Sequence, residues 1–211
     1  MQYNYLVIEG NIGAGKTSLA KKLAEDTDSK LVLEQFEENP FLPKFYADAD
    51  RYAFPVELTF LADRYKQLKS EIKPRDLFQT RTISDYYFVK SLIFSRNTLK
   101  DDEYFLYKRL FDIIHQQLPK PDLYVYLHVN SKRLLDNIRS RGRVYEMQIT
   151  EEYLEEIRLS YFDYIKTQPK MTFLVLDVNN LDFVNNISDY QKIKKAIFEE
   201  YYEYGMNMLI L

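Results

Sequence analysis

The sequence predicts an α/β protein, with a five-stranded parallel sheet carrying helices on both faces. Three observations predict it. Apolar, β-prone runs alternate with helical stretches along the 211 residues. Three of the five glycines fall within six residues, in Gly10-Asn11-Ile12-Gly13-Ala14-Gly15-Lys16-Thr17, which follows the apolar run Tyr5-Leu6-Val7-Ile8 after Glu9. Acids close several of the strands, at the end of the sheet where open α/β folds bind ligands.

The strands are expected at Tyr3–Glu9, Lys30–Glu34, Thr80–Ser84, Leu123–Val129 and Thr172–Asp177. The first helix runs from the glycine loop to about Asp26. A long helix from about Phe54 to Ile72 carries Leu58, Leu61, Tyr65 and Leu68 at helical spacing, and Lys73-Pro74 ends it. Further helices are expected at about Tyr86–Arg96 and at Asp102–Leu118, the latter stopped by Pro119 and Pro121. Ser131 is placed as the N-cap of a helix to about Ser140. Two more follow at Glu151–Thr167 and from Ser188 to about Tyr204. The apolar tail Met206–Leu211 is expected to dock on the core. With no linker or repeat, residues 1–211 read as a single domain.

Composition narrows the chemistry. The formal net charge is −3, with acids and bases mixed throughout, which argues against a nucleic-acid partner. No cysteine and only two histidines exclude thiolate sites and disfavour a histidine-rich metal centre. No apolar run approaches membrane-spanning length and no leader pattern stands at the start, so no membrane association is expected and the cytoplasm is the expected compartment. The 19 tyrosines are expected mainly to pack helix faces.

The glycine loop has the phosphate-binding pattern in the context it requires, a strand before it and the helix-forming Ser18-Leu19-Ala20 after it. Glycines let main-chain N–H groups close around a phosphate, and the helix aims its positive end at the same anion. Lys16 would reach the terminal phosphates of a nucleoside triphosphate, and the Thr17 hydroxyl would bind Mg²⁺. Glu34, closing the second strand, is placed to accept the proton of an attacking hydroxyl. Asp85, closing the third, suits either a Mg²⁺-orienting carboxylate or the N-cap of a helix starting at Tyr86. Arg139, Arg141 and Arg143 flank Gly142 and suit a lid, about residues 139–150, that closes over phosphates and excludes water.

Together these residues resemble the deoxynucleoside kinase family, which shares its fold with thymidylate and other nucleoside monophosphate kinases. The matching pieces are Gly10–Thr17, Glu34, the helix with Glu57 and Arg64, the helix after Asp85, Leu118–Leu123, the Arg-Gly-Arg lid and Tyr153-Leu154. The resemblance implies the nucleoside and nucleotide kinase fold, ATP and Mg²⁺, a deoxynucleoside acceptor and a homodimer. It implies Glu34 as the base on the sugar 5′-hydroxyl, and Tyr46 and Glu146 on the 3′-hydroxyl. Arg64 would orient the region of the base catalyst, with Arg141 and Arg143 on the donor phosphates and Phe36 and Phe60 as walls for the nucleobase. Two departures stand out. The run Ser84-Asp85-Tyr86-Tyr87 replaces an acid followed by Arg and Ser, so a phosphate-binding arginine is missing, with Arg81 the nearest. Glu57 replaces a glutamine against the base edge; an ionised glutamate only accepts hydrogen bonds, which favours a base with two adjacent donors such as guanine, whereas a raised pKa would let Glu57 donate.

Phosphoryl transfer to a deoxynucleoside is therefore the expected activity. The second reading is a nucleoside monophosphate kinase, disfavoured because Glu34 and Glu57 would repel an acceptor phosphate. The third is a regulatory nucleotide hydrolase, but the Asp-x-x-Gly and Asn-Lys-x-Asp segments of GTP switches are absent.

Overall fold

A computed structural model of the chain describes residues 3–35, 39–72 and 81–211. Strand β1 (Tyr5–Gly10) runs up the middle of a parallel sheet with β2 (Lys30–Val32), β3 (Thr82–Ser84), β4 (Leu123–His128), β5 (Thr172–Asp177) and β6 (Gly205–Ile210). Their order is β2-β3-β1-β4-β5-β6, and every pairing is parallel. Alternation along β1 divides the core in two. Leu6 and Ile8 join one cluster with residues of α1 (Lys16–Asp26), α6 (Ser131–Arg141) and α8 (Ile187–Phe198). Tyr5 and Val7 join the other, with α3 (Ala49–Glu71), α4 (Lys90–Thr98), α5 (Asp101–His115) and α7 (Glu151–Lys166). A strand buried on both faces favours apolar side chains at successive positions, hence the run Tyr5–Ile8 in β1, which the buried Glu9 follows.

Among the described residues the sheet has six strands, where the sequence suggests five. The tail does reach the core, but as edge strand β6 paired with β5 from Thr172↔Gly205 to Asp177↔Ile210. Only one face of β6 is covered, and Met206, Met208 and Ile210 are exposed. Other shifts have local causes. Helix α3 starts at Ala49 because the Asp48 carboxylate caps it, accepting from Arg51 N at 3.3 Å, and Pro55 lies inside it. A short helix α2 (Leu42–Ala47) precedes it. Helix α4 begins at Lys90 rather than Tyr86, because the preceding main chain is committed elsewhere. Tyr87 N–H donates to Glu9 Oε1 at 2.9 Å, and Tyr86 O accepts from Ser84 Oγ at 2.7 Å. Asp85 is therefore not the N-cap of α4. Asn130 and Asn186, rather than Ser131 and Ser188, cap α6 and α8. Tyr86, Tyr87, Tyr107, Tyr124, Tyr126 and Tyr161 are all fully buried. Among the described residues, no helix is long and apolar enough to cross a membrane.

Candidate active site

The loop from Gly10 to Gly15 leaves β1 and enters α1 at the carboxyl end of the sheet. Gly10 has φ +151°, and a Cβ there would stand 2.8 Å from the main-chain oxygen of Leu127 in β4. Gly15 has φ +87°. Both conformations and that contact require glycine. The loop is pinned from outside: Asn11 Nδ2 donates to Leu154 O at 2.6 Å, and Asn137 Nδ2 donates to Gly13 O at 2.8 Å. Lys16 Nζ turns back to Asn11 O at 2.8 Å. Burial and the neighbouring Lys90 pull the Lys16 ammonium down to about 8, against Glu9, Glu34 and Asp85. An anion placed against Lys16 would offset that penalty. Gly10→Ala should displace the loop and weaken nucleotide binding by tenfold or more, since roughly 1.4 kcal/mol corresponds to a factor of ten. Calorimetric titration with nucleotide checks it, and an unchanged affinity refutes the strain assigned to Gly10.

Glu34 lies two residues past β2 and is held from three sides. Arg64 donates to Oε1 through Nε at 2.9 Å, with Nη2 at 2.7 Å, and Lys90 Nζ donates to Oε2. Arg64 Nη1 also donates to Ser91 Oγ at 2.8 Å, and its guanidinium stacks over Phe60 at 4.7 Å. Burial pushes the Glu34 carboxyl up, but Lys90 and Arg64 outweigh it and hold it down at about 2. The side chain is an ionised acceptor at neutral pH. Asp85 ties it to the glycine loop, its Oδ1 accepting from Glu34 N at 2.8 Å and its Oδ2 from Thr17 Oγ1 at 2.5 Å. Thr17 and Asp85 thus present adjacent hard oxygens. Mg²⁺ takes few protein ligands and fills its shell with water and phosphate, so this pair fits it.

Behind the loop Glu9 is wholly buried, accepting from Tyr161 Oη at 2.9 Å as well as from Tyr87 N–H. Burial raises its carboxyl, against Lys90 and Lys16. Glu9 thereby fixes the chain entering α4, and so the position of Lys90.

The segment after α6 folds inward. Gly142 at φ +72° ends the helix, its N–H shared between Ile138 O and Arg139 O, so it acts as a helix cap. A 3₁₀ turn, Val144–Glu146, follows. Glu146 is buried and accepts from Arg141 Nη2, with Arg143 Nη1 at 3.4 Å. Tyr145 packs on Tyr46 with ring centroids 5.5 Å apart. Burial and the nearby Glu146 raise the Tyr46 hydroxyl, keeping it a donor. These groups share one cavity of about 970 Å³ with Lys16, Ser18, Glu34, Glu57 and Phe60.

The deoxynucleoside kinase family model matches residues 6–202 of this chain. The chain belongs to the deoxynucleoside kinase family. It is 36% identical over 202 residues to a deoxyguanosine kinase of Bacillus subtilis, covering 92% of this chain and 96% of that protein. It is 30% identical to a deoxyadenosine/deoxycytidine kinase of the same organism, over 91% of this chain and 90% of that protein. A structure of deoxyadenosine kinase from M. mycoides with bound dCTP superposes with a TM-score of 0.78 at 25% identity, covering 93% of this chain and all of that one.

Within this deoxynucleoside kinase, most residues singled out from the sequence converge on the cavity. Tyr46, Glu57, Phe60, Arg64, Asp85, Arg141, Arg143 and Glu146 do so, as does the loop from Ile12 to Ser18. Arg139 does not: it sits on an exposed face of α6, 3.9 Å from Asp136. Phe36 lies outside the described residues. Arg81 is turned away, donating through Nε to Tyr3 O at 3.0 Å and stacking over Phe198. Lys90 stands beside Glu34 instead, and sequence reasoning missed it. Its signal was a lone lysine inside the apolar stretch Tyr86–Phe94. Arg133 was also missed; it donates to the main-chain oxygen of Val178 at 2.8 Å and steadies the cavity-lining loop after β5.

Proposed function

We propose that this deoxynucleoside kinase uses Glu34 as the base on the 5′-hydroxyl of deoxyguanosine, with ATP as donor. The observation that carries the reading is the Asp85 bridge, which fixes an ionised Glu34 to the loop that would cradle the donor phosphates. Main-chain N–H groups of Gly13–Thr17 and the start of α1 hold the phosphates, and Lys16 places its charge on the transferring group. Thr17 and Asp85 would hold Mg²⁺, whose charge would offset that of the donor phosphate oxygens. Glu34 orients the hydroxyl and takes its proton as the new O–P bond forms. Lys90 and Arg64 keep that carboxylate aimed and supply the positive charge missing after Asp85. Arg141 and Arg143 meet the donor phosphates, while Tyr46 and Glu146 hold the 3′-hydroxyl. Phe60 packs against the base.

The guanine preference is supported by Glu57, which offers acceptors to the ring N–H and amino group of that base. It is supported also by the relative named for deoxyguanosine. The exposed Phe105, Leu106 and Ile113 on α5 support a homodimer built on helix faces. Cytoplasmic location is the compartment we assign to the enzyme.

A phosphorylation screen over the four deoxynucleosides and their monophosphates tests the reading. ATP consumption should depend on added deoxynucleoside, be fastest with deoxyguanosine, and yield the 5′-monophosphate. Consumption independent of acceptor, or a monophosphate outrunning every nucleoside, refutes it.

A further inference from the structure

We infer that Glu57 reads the nucleobase in two protonation forms, so that the acceptor this enzyme prefers changes with pH. As the carboxylate it accepts from the paired donors of guanine; as the acid it pairs with the adjacent acceptor and donor of adenine. The inference rests on the reading of the cavity as a deoxynucleoside site.

The geometry of Glu57 carries it. The residue is 4% exposed and lines the cavity on α3 beside Phe60, Phe94 and Tyr153. Its Oε1 accepts from Thr98 Oγ1 at 2.8 Å. Its Oε2 is buried and has no hydrogen-bond partner among the described residues. A buried carboxyl with one oxygen unused either finds donors on a ligand or takes a proton.

The surrounding charges leave both options open. Arg64 on α3 and Lys90 on α4 both place donors on Glu34, which lies beyond β2, and Arg64 spends another on Ser91. From α2, α5 and α7 the groups facing Glu57 are the phenols of Tyr46, Tyr107 and Tyr153, each raised by burial and therefore neutral. Burial pushes the Glu57 carboxyl up to about 7, against Arg64, Thr98 and Lys90. Ionised and neutral forms are then both populated near physiological pH.

The two forms present different patterns. The carboxylate has acceptors only, complementary to the ring N1–H and 2-amino group of guanine. The acid donates from Oε2 to adenine N1 and accepts on Oε1 from the 6-amino group. Switching form needs only proton exchange with water: hydronium gives up an O–H bond as one forms on Oε2, and the reverse restores the carboxylate. A site built for one hydrogen-bond pattern rejects the other strongly, because mismatched groups stay buried and unpaired.

The test is the ratio of kcat/KM for deoxyadenosine to that for deoxyguanosine between pH 6 and pH 8. Both substrates present the same 5′-hydroxyl, so titration of groups serving the chemistry cancels in the ratio. The wild-type ratio should fall about tenfold per pH unit, since kcat/KM reports the ionisation of the free enzyme. Glu57→Gln carries an amide that donates and accepts at every pH. Its ratio should be flat and shifted toward deoxyadenosine. A wild-type ratio that changes less than twofold overturns the inference, as does a Glu57→Gln ratio with the wild-type slope. If neither nucleoside is phosphorylated at any pH, the kinase reading itself fails. If both are phosphorylated at a constant ratio, only the role of Glu57 falls. The wild-type slope decides the matter even if the variant does not fold.

Discussion

Glu34→Gln is expected to lower kcat by about 10²–10⁴-fold, the usual contribution of a positioned general base, with little change in ATP affinity. The amide is nearly isosteric, but it cannot take a proton. A carboxyl held at about 2 is a weak base toward an alcohol. Phosphoryl transfer tolerates this because its transition state is loose. In the proposed reaction the hydroxyl becomes acidic only as its oxygen bonds to phosphorus, so the proton would leave late and Glu34 would need only to be ionised and aimed. Arg64 and Lys90 secure both conditions. Steady-state kinetics together with nucleotide titration check the prediction. Near-normal turnover in this variant removes Glu34 from the chemistry, and a matching loss of ATP binding shows that the substitution damaged the loop instead.

Arg64→Met is expected to cost about 3–5 kcal/mol of stability, the penalty for stranding one member of a buried ion pair. Arg64 is 5% exposed and gives three hydrogen-bonding contacts, two of them to Glu34. Without it the carboxylate keeps Lys90 alone, and the stacking on Phe60 is lost. For a chain of this size the thermal midpoint should drop by roughly 10 °C. The double variant with Glu34→Gln should lose less than the sum of the two single variants, because it removes both buried charges and the pair is in direct contact. Thermal unfolding of the four proteins measures this. Strict additivity would mean that the pair contributes no coupling.

What the sequence disclosed depended on how local the cause was. The loop from Gly10 to Thr17 was legible to the residue, because strand, glycines and helix follow one another in the chain. Asp85 was legible by position, as the polar residue directly after β3, whereas Glu34, expected to close β2, stands two residues beyond its end. Strand β6 was harder, because one covered face and an open edge leave the tail with a weak pattern. The start of α4 was not legible at all. A carboxylate 78 residues earlier, Glu9, takes the Tyr87 N–H, and that long-range bond delays the helix until Lys90. For the same reason Lys90 escaped notice, since its pairing with Glu34 spans 56 residues. Arg81 shows the converse: it is near Asp85 in sequence but reaches across to Tyr3 instead.

The most direct measurement is a crystal structure of the enzyme with deoxyguanosine and a non-hydrolysable ATP analogue. It should show the analogue's phosphates within the Gly10–Thr17 loop and the nucleoside 5′-oxygen roughly 2.6–3.2 Å from a carboxylate oxygen of Glu34, the reach required of a base. A nucleoside bound with its 5′-end away from Glu34, or phosphates outside that loop, would contradict the account.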